Sequence, residues 1–560
     1  TSVAAQAAGV TVNANGGTNI RGARDEGTVY FIDGVKVRGS TNIPQAAIAQ
    51  TEVITGGLPA QYGDAVGGVI STTTKGPSSE YFGTAEILTS SPFDWKAFGD
   101  GPIDAQNYNL AAFTLGGPIP GWEDERGNPR VGFLLSAEYQ YMEETRPTIV
   151  PYSELNEDTL KSLEARPITI DSSGTGYINR AELIDDRSLS DVYARKNGFN
   201  SELRLNGNVQ VKTSKNTTLT LGGRWVFSDD KRSTFNNHIF NFDNNLDQRN
   251  SDWSTYLRFQ QQFENDPEGN SNIKNAFYTL QVDYSQTNQL IHNEEHGDDF
   301  FEYGHVGKFD IQRAPVFQYG VDTLTGVAGY LYINDQDTAV KFTPGSSNPV
   351  LSNYMSTYYD MAASNSGINV SDFATLTSSQ APPINGQNPL SVYNNLWGNL
   401  GSVQSVSVNG VTGANYYKTR GTQFRVTAST SFDIKDHSII IGAEYEQRNN
   451  RAYALDATGL WSQARLLQNA PNQELDLANP ILVKDDFGFY QDTIMYNRAY
   501  SSQEASAFAE NIRRALGMDP YSTEVINIDN LDPSTFSIDM FSPDEMINPG
   551  GTRYLHYYGY

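Results

Sequence analysis

Four residues of this chain have the type and spacing to hold a metal ion. Asp171 and Glu182 fall at positions 1 and 12 of the segment DSSGTGYINRAE, with Gly176 at position 6 and Ile178 at position 8, as in a calcium-binding loop. Ser173 and Thr175 occupy positions 3 and 5, where carboxylates or amides are expected, so two anionic ligands remain. A Ser/Gly turn leading into a short helix at 180–184 is the stronger reading. His292 and His296 lie four apart beside Asp298 and Asp299, and on a helix they would share one face. The glutamate that a metalloprotease places directly after its first histidine is Asn293 here, and the segment follows a strand. A solvated polar loop is expected instead. There is no Walker A motif, dinucleotide fingerprint or GxSxG elbow. No enzymatic activity and no cofactor are expected.

The chain's strongest signal is architectural. Residues 52–75 read EVITGGLPAQYGDAVGGVISTTTK, after IRGAR at 20–24 and YFIDGVKVRG at 30–39. Val53-Ile54 and residues 69–72 are short β-branched runs, which favour strands. Gly56, Gly57, Pro59, Gly63, Gly67 and Gly68 punctuate the space between them with tight turns. Asp33-Gly34 between two apolar triplets is a two-residue hairpin signal. The ordered set, carried by Arg21, Gly22, Asp33, Gly34, Gly56, Gly57, Tyr62, Gly63, Asp64, Gly67 and Gly68, resembles the plug domain of TonB-dependent outer-membrane transporters. The likeness extends to large SusC-like receptors, whose plug follows a carboxypeptidase-regulatory-like domain that these residues do not include. Thr1 would fall within the plug, and no energy-coupling box is recognisable ahead of it.

Composition bounds the rest. Of 560 residues, 38% are hydrophobic, and the mean hydropathy is −0.49. No apolar run approaches the roughly 18 residues a membrane helix needs. A β-barrel stays open, because its strands show lipid only every second side chain. The absence of cysteine excludes a disulfide or thiolate-metal framework. A net charge of −26 argues against nucleic acid, which demands clustered Lys and Arg.

From about residue 81 the pattern alternates with period two. Leu203, Leu205, Val209 and Val211 are apolar, whereas Glu202, Arg204, Asn206, Asn208, Gln210 and Lys212 are polar. Nine complete strands of about 10 to 13 residues can be read this way, with a tenth near Arg553. Aromatic residues gather at strand ends, as in Tyr139/Tyr141, Trp225/Phe227 and Tyr445, where interfacial girdles would lie. Connections alternate between short (212–217, 433–437), modest (120–130, 264–274) and long (146–200, 229–251, 292–419, 451–550), as in outer-membrane barrels.

The expected fold is therefore all-β: a transmembrane antiparallel barrel with an α+β plug inside it. Residues 1–76 are assigned to the plug and 77–560 to the N-terminal part of the barrel. The resemblance implies 22 strands, about ten of them in this chain and the others beyond Tyr560. It also implies the outer membrane of a Gram-negative bacterium, with long loops outside, and TonB-driven import of a bulky nutrient: glycan, peptide or siderophore. The implied partners are outer-membrane lipid and the TonB energy-coupling complex. The rival reading is a structural barrel in an export or assembly machine, with surface lipoproteins or other outer-membrane subunits docked on its loops. Tyr303, Tyr354, Tyr358, Tyr359, Trp397, Trp461, Phe487 and Tyr490 in the two longest loops favour partner docking, because aromatics are enriched at interfaces. A capping box at 501–504, closed by Gly517 and Pro520, predicts a helix at 502–516 with an Ala505/Phe508/Ile512/Leu516 stripe in the loop core.

Overall fold

The computed structural model describes residues 7–12, 18–23, 27–62, 65–90, 106–148, 150–173, 177–233, 237–264, 273–364, 384–387, 406–408, 411–547 and 555–559. Its largest element is a ten-stranded, wholly antiparallel sheet. In chain order the strands are Phe82–Thr89, Asn109–Pro118, Val131–Met142, Asn200–Lys212, Thr217–Arg232, Leu246–Gln262, Ile273–His292, Tyr416–Ile434, His437–Leu455 and Leu555–Gly559. Each pairs with the next in sequence, so the sheet is an up-and-down wall. The tenth strand, expected near Arg553, begins at Leu555.

Register explains why the wall has two opposite faces. Ser136, Asn206, Arg224, Ser254, Ser285 and Gln423 lie side by side across six strands, and all are buried. Phe133, Val209, Leu221, Leu257, Val282, Val426 and Tyr445 form a parallel row facing outward. Val209, Leu221, Leu257, Val282 and Tyr445 of that row are exposed. A water-soluble sheet places these faces the other way round. Five of the ten strands, Thr217–Arg232, Leu246–Gln262, Ile273–His292, Tyr416–Ile434 and His437–Leu455, are longer than the sequence pattern indicates. Ile273–His292 has 20 residues, about twice the roughly 9–11 that cross a bilayer. Its upper half therefore extends beyond the hydrocarbon, where the lipid-facing alternation has no cause to persist. No described helix is long and apolar enough to cross a membrane.

Against the polar face sits a small N-terminal unit. Its sheet runs Val35–Lys36, Thr28–Ile32, Gly68–Thr74, Ile48–Ile54, with the middle pair parallel. Val10–Val12 and Thr18–Ile20 add a separate ribbon. The helical content of these residues includes the 3-10 turns Gln45–Ala47 and Ala60–Tyr62. Asp33 and Gly34 both have positive φ (50° and 76°), the type I′ turn whose twist suits a two-residue hairpin.

The long connections form a second structure at one end of the wall. The connection before Tyr416 is not structureless: it contains the hairpin Gly307–Val321/Ala328–Pro344 and the helix Pro349–Ser364. The next long connection contributes Ile481–Lys484 and Tyr490–Met495. Tyr490–Met495 pairs in parallel with Ala328–Pro344, joining the two loops in one four-stranded sheet. Phe301, Tyr303, Leu460, Trp461, Phe508 and Phe536 share a core drawn from both. Ile168, from the 143–199 connection, joins a second core with Phe309, Leu351 and Met355. These three connections build a folded canopy.

Two expectations change here. Tyr303, Tyr354, Tyr358 and Trp461 are core residues of the canopy, and Tyr359 packs beside them, so the loops order by burying aromatics in each other. Phe487 and Tyr490 stay exposed, at 87% and 65%, with Phe489 at 72% between them. Trp397 lies outside the described residues. The capped helix spans Ala507–Ala515 rather than 502–516. Ser506 is its cap, accepting from the Ala509 N–H at 3.2 Å, so the chain enters the helix at Ala507 and not directly after Ser501, as Ser501 and Glu504 suggested. Its end matches expectation. Gly517 (φ 73°) donates to the Arg514 carbonyl and Met518 to that of Arg513, a Schellman closure. Phe508 and Ile512 are buried, whereas Ala505 and Leu516 are exposed.

Candidate functional site

The polar wall and the N-terminal unit meet through hydrogen bonds rather than apolar packing. The Asp33-Gly34 turn is the centre of that contact. The Arg258 guanidinium donates to the Asp33 carbonyl, and that of Arg425 donates to the Gly34 carbonyl. The two arginines belong to strands separated by Ile273–His292, and that strand connects them. Arg258 Nε donates to Gln281 Oε1 at 2.8 Å, Gln281 Nε2 to Asp283 Oδ2 at 3.1 Å, and Arg425 Nε to the same oxygen at 3.2 Å. Arg425 is almost fully buried and also lies over the Phe31 ring, 5.6 Å from its centroid. The Asp33 carboxylate points back into its own unit, accepting from the Thr74 N–H and hydroxyl, both at 2.8 Å. One turn thus ties the hairpin, the exit strand and the wall together.

The segment after the hairpin is held in the same way. Ser40 N–H donates to Asp252 Oδ2 at 2.7 Å, and Gln45 N–H to Glu138 Oε2 at 2.9 Å. Asn42 Nδ2 donates to Glu202 Oε1 at 2.8 Å, and Arg224 Nη1 to the Asn42 carbonyl at 3.3 Å. Gly39 permits the approach: with φ at +82°, a Cβ there would stand 2.7 Å from Asp252 Oδ2. Further along, Lys36 Nζ lies 3.4 Å from Glu446 Oε2, and Asn208 Nδ2 donates to the Lys75 carbonyl at 3.3 Å. Most of these bonds end on backbone groups of the small unit, so the wall reads its shape more than its side chains.

Of the motif residues, Asp33 and Gly34 reach the wall. Arg21 (φ 52°) and Gly22 form the turn after Thr18–Ile20, and the Arg21 guanidinium packs on Gly56. Gly57 has positive φ, and Gly67 N–H bonds the Gly27 carbonyl at 2.9 Å. Gly68 opens its strand where a Cβ would lie 2.8 Å from the Ile54 carbonyl. The Tyr62 ring is 5.4 Å from that of Phe31. Gly63 and Asp64 lie outside the described residues. The motif therefore chiefly builds the unit. The wall residues that grip it (Glu138, Asp252, Arg258, Asp283, Arg425) were missed individually. Their signal was present as charged residues on the polar phase of each alternating strand.

The metal candidates do not assemble. Asp171 Oδ1 accepts from the N–H and hydroxyl of Ser173, at 3.0 and 2.7 Å, which is the Ser turn. Glu182 is exposed on the short 3-10 turn Arg180–Leu183, and Gly176 lies outside the described residues. His292 and His296 are both buried rather than solvated. Asn293 Oδ1 folds their segment into a turn by accepting from the Glu295 and His296 N–H groups, and His296 Nε2 pairs with Asn348 Oδ1 at 3.0 Å. Among the described residues no group of three or more His, Asp or Glu could hold a metal.

Two cavities flank the grip. The larger, about 1040 Å³, lies between Phe31, Lys36 and Tyr62 on one side and Arg425, Glu444 and Glu446 on the other. The smaller, about 390 Å³, lies above Gly39 and Ser40 on the canopy side.

Residues 1–69 match the family model described as TonB-dependent Receptor Plug Domain. No curated protein sequence matches the chain. Solved structures with related features include the siderophore receptor PiuA from Acinetobacter baumannii, at 13% identity over 80% of this chain and 55% of that one, with a TM-score of 0.35. A mutant of the ferric enterobactin receptor PfeA from Pseudomonas aeruginosa gives 12%, 80%, 55% and 0.33. The outer membrane transporter YddB from Escherichia coli gives 9%, 85%, 45% and 0.34. The chain thus spans about half the length of these proteins. Likenesses this weak determine no substrate. The small unit held in the polar wall is thus the part of the chain that matches the plug domain of TonB-dependent receptors.

Proposed function

We propose that the chain serves TonB-dependent import of a bulky nutrient, with residues 1–76 as a movable plug and 77–560 as wall and outer canopy. The observation that carries this reading is the chemistry of the plug–wall contact. Its bonds are hydrogen bonds and ion pairs, each worth about 0.5–1.5 kcal/mol net, or about 1.5–3 with a charged partner. Water can replace them one at a time when the plug shifts. An apolar contact of equal size would expose its area to water at about 25 cal/mol per Å². A plug seated this way is held and remains displaceable. The motif set also supports placing the chain in the SusC-like branch.

Because the chain has no cysteine, an introduced pair reports cleanly. Lys36→Cys with Gln423→Cys would join the plug to the wall, where Gln423 Nε2 bonds the Lys36 carbonyl at 3.0 Å. Energy-dependent uptake should stop on oxidation and return on reduction. Undiminished uptake through the oxidised pair would end the proposal.

A second reading, a structural subunit that docks partners, is favoured by one feature. The Phe487-Gly488-Phe489-Tyr490 tip is exposed although Asp485 holds its turn, accepting from Phe487 and Phe489 N–H at 3.0 and 2.8 Å. Gentle isolation separates the readings, since a docked subunit should co-purify with unlike proteins and an independent importer alone.

A further inference from the structure

The outward face of the wall changes character along one strand pair. On Tyr416–Ile434, the outward residues from Phe432 up to Thr422 carry no charge, and neither do their partners from Ile439 to Asn449 on His437–Leu455. Arg420, Arg451 and Lys418 then follow in the same phase, all three exposed. Arg420 and Arg451 are directly opposed, a pairing in which like charges repel. Their other neighbours in that row are Asn288 and Gly559, which bring no counter-charge. Arg420 Nη2 donates to the neutral Gln286 amide oxygen at 3.1 Å, and among the described residues no acid pairs with any of the three cations. Asp229 and Glu294, at the same end of the wall, are already held by Arg249, at 3.5 and 3.2 Å. In a chain of net charge −26 this cluster runs against the general charge. Two boundaries set its height. A strand tilted by about 45° climbs about 2.3 Å per residue across a bilayer, so Phe432 to Arg420 spans roughly 28 Å, close to the hydrocarbon thickness of about 30 Å. Above, the canopy closes over the outward face. Leu290 and Tyr453, which flank Lys418 in its row, pack against the canopy core, and Tyr453 stacks on Tyr416 at 5.8 Å. The three cations therefore line a ledge between the canopy and the hydrocarbon.

We infer that this ledge binds the phosphates of a lipid headgroup in the leaflet on the canopy side. The inference rests on the import reading for placing the wall in a bilayer, and adds a ligand outside the transport path. Guanidinium groups grip phosphate oxygens in bidentate fashion, and an ammonium serves as a point charge beside them. Two opposed arginines with a lysine diagonal to them suit a headgroup carrying more than one phosphate. Once seated, that anion turns the Arg420–Arg451 repulsion into a shared attraction. The same lipid's acyl chains would run down the exposed Phe424 and Tyr445, one and two rungs into the uncharged face. A soluble phosphate has the charge but not those chains. An acidic protein segment would have to enter the headgroup layer beneath the canopy.

The test uses the full-length protein in phosphatidylcholine nanodiscs. The probes are diphosphoryl lipid A, its dephosphorylated form with the same acyl chains, and inorganic phosphate. The phosphorylated lipid should be retained at least about tenfold more tightly than the dephosphorylated one. Lys418→Gln, Arg420→Gln and Arg451→Gln together should bring that ratio within about twofold. Arg420→Lys with Arg451→Lys keeps the charge but loses the planar grip, and should fall between. Folding is read separately. Without the phosphorylated lipid, Arg451→Gln should unfold no more readily than the wild type, because it removes a repulsion, and adding that lipid should stabilise the wild type more than the triple glutamine variant. Equal retention of the two lipids, or an undiminished ratio in the triple variant, overturns the inference. So does displacement of the lipid by inorganic phosphate at matching concentration, and so does release of an acidic protein, rather than lipid, by the same substitutions. Uptake separates this site from the import reading. Phosphate-selective retention without energy-dependent uptake leaves the ledge standing and removes import. Energy-dependent uptake by a protein that shows no such selectivity does the reverse.

Discussion

The wall and the canopy are built from one chain with opposite rules. In the wall, Leu221, Trp225 and Leu257 face outward while Asn206, Arg224, Asp283 and Arg425 are buried. In the canopy, Trp461, Phe508, Leu351 and Met355 are buried. Each region places outside what its own solvent tolerates: hydrocarbon around the wall, water around the canopy. Burial alone therefore says little about what holds a region together. The wall needs its polar interior because the plug fills it, whereas the canopy needs an apolar interior because its own segments fill it.

The comparison breaks or sharpens by substitution. Trp461→Ala should cost about 3–5 kcal/mol. Hydrogen exchange should quicken in the helices Gly459–Leu467 and Ala507–Ala515 and not in the wall strands. Loss of wall protection would show that the two regions are one cooperative unit. On the wall's inner face, Arg204→Leu strands the buried Glu138 carboxylate and should cost a similar amount, about 3–5 kcal/mol. The alternation alone places Arg204 on the polar face and does not reveal that it pairs with Glu138 and Glu202. On the outer face, Leu205→Arg should cost about 2–4 kcal/mol near mid-bilayer, measured by reversible unfolding in lipid vesicles. A negligible cost would place that face in water. Ser506→Ala should remove about 1 kcal/mol from the helix Ala507–Ala515 and leave the wall untouched.

The smallest effect is a pH dependence confined to the canopy. Asp322 Oδ1 accepts from the Thr325 hydroxyl and N–H, both at 2.7 Å, and Oδ2 from the Tyr496 hydroxyl at 2.7 Å. Those bonds, the Thr325 hydroxyl's foremost, hold its carboxyl down at about 2. An unfolded aspartate titrates near 3.9. The folded form thus binds fewer protons, and the added stability is full above about pH 4 and lost as pH falls towards 2. Exchange protection of the hairpin Gly307–Val321/Ala328–Pro344 should fall across that window. Asp322→Asn should flatten the profile, and an unchanged profile in that variant would assign the effect to other groups.

The wall was largely legible because lipid on one side and a polar plug on the other impose strict alternation, as along residues 202–212. The Asp33-Gly34 hairpin was legible because I′ turns accept few residue types. The canopy was not. Its hairpin at 307–344 lies within a segment that reads as one long loop, and Pro315 interrupts its strand pattern. His296 is buried against the Tyr303 ring and bonded to Asn348, the latter 52 positions away, where sequence spacing cannot bring it near. The grip on the plug was half legible: the alternation placed charges on the inner face, but their partners are backbone groups, which carry no sequence signature.

The parallel pairing of Tyr330 and Leu331 with Thr493 and Ile494 joins residues about 160 positions apart. Closing so long a loop unaided is slow and entropically costly. Between the two partners lies the wall hairpin Tyr416–Ile434/His437–Leu455, whose two-residue turn at Lys435 and Asp436 forms locally. Once that hairpin zips, it delivers both partners to the same end of the wall. The canopy sheet should therefore be among the last parts of the chain to become protected after synthesis. A pulse-labelled folding time course should show Tyr490–Met495 gaining protection only after Tyr416–Ile434 has done so.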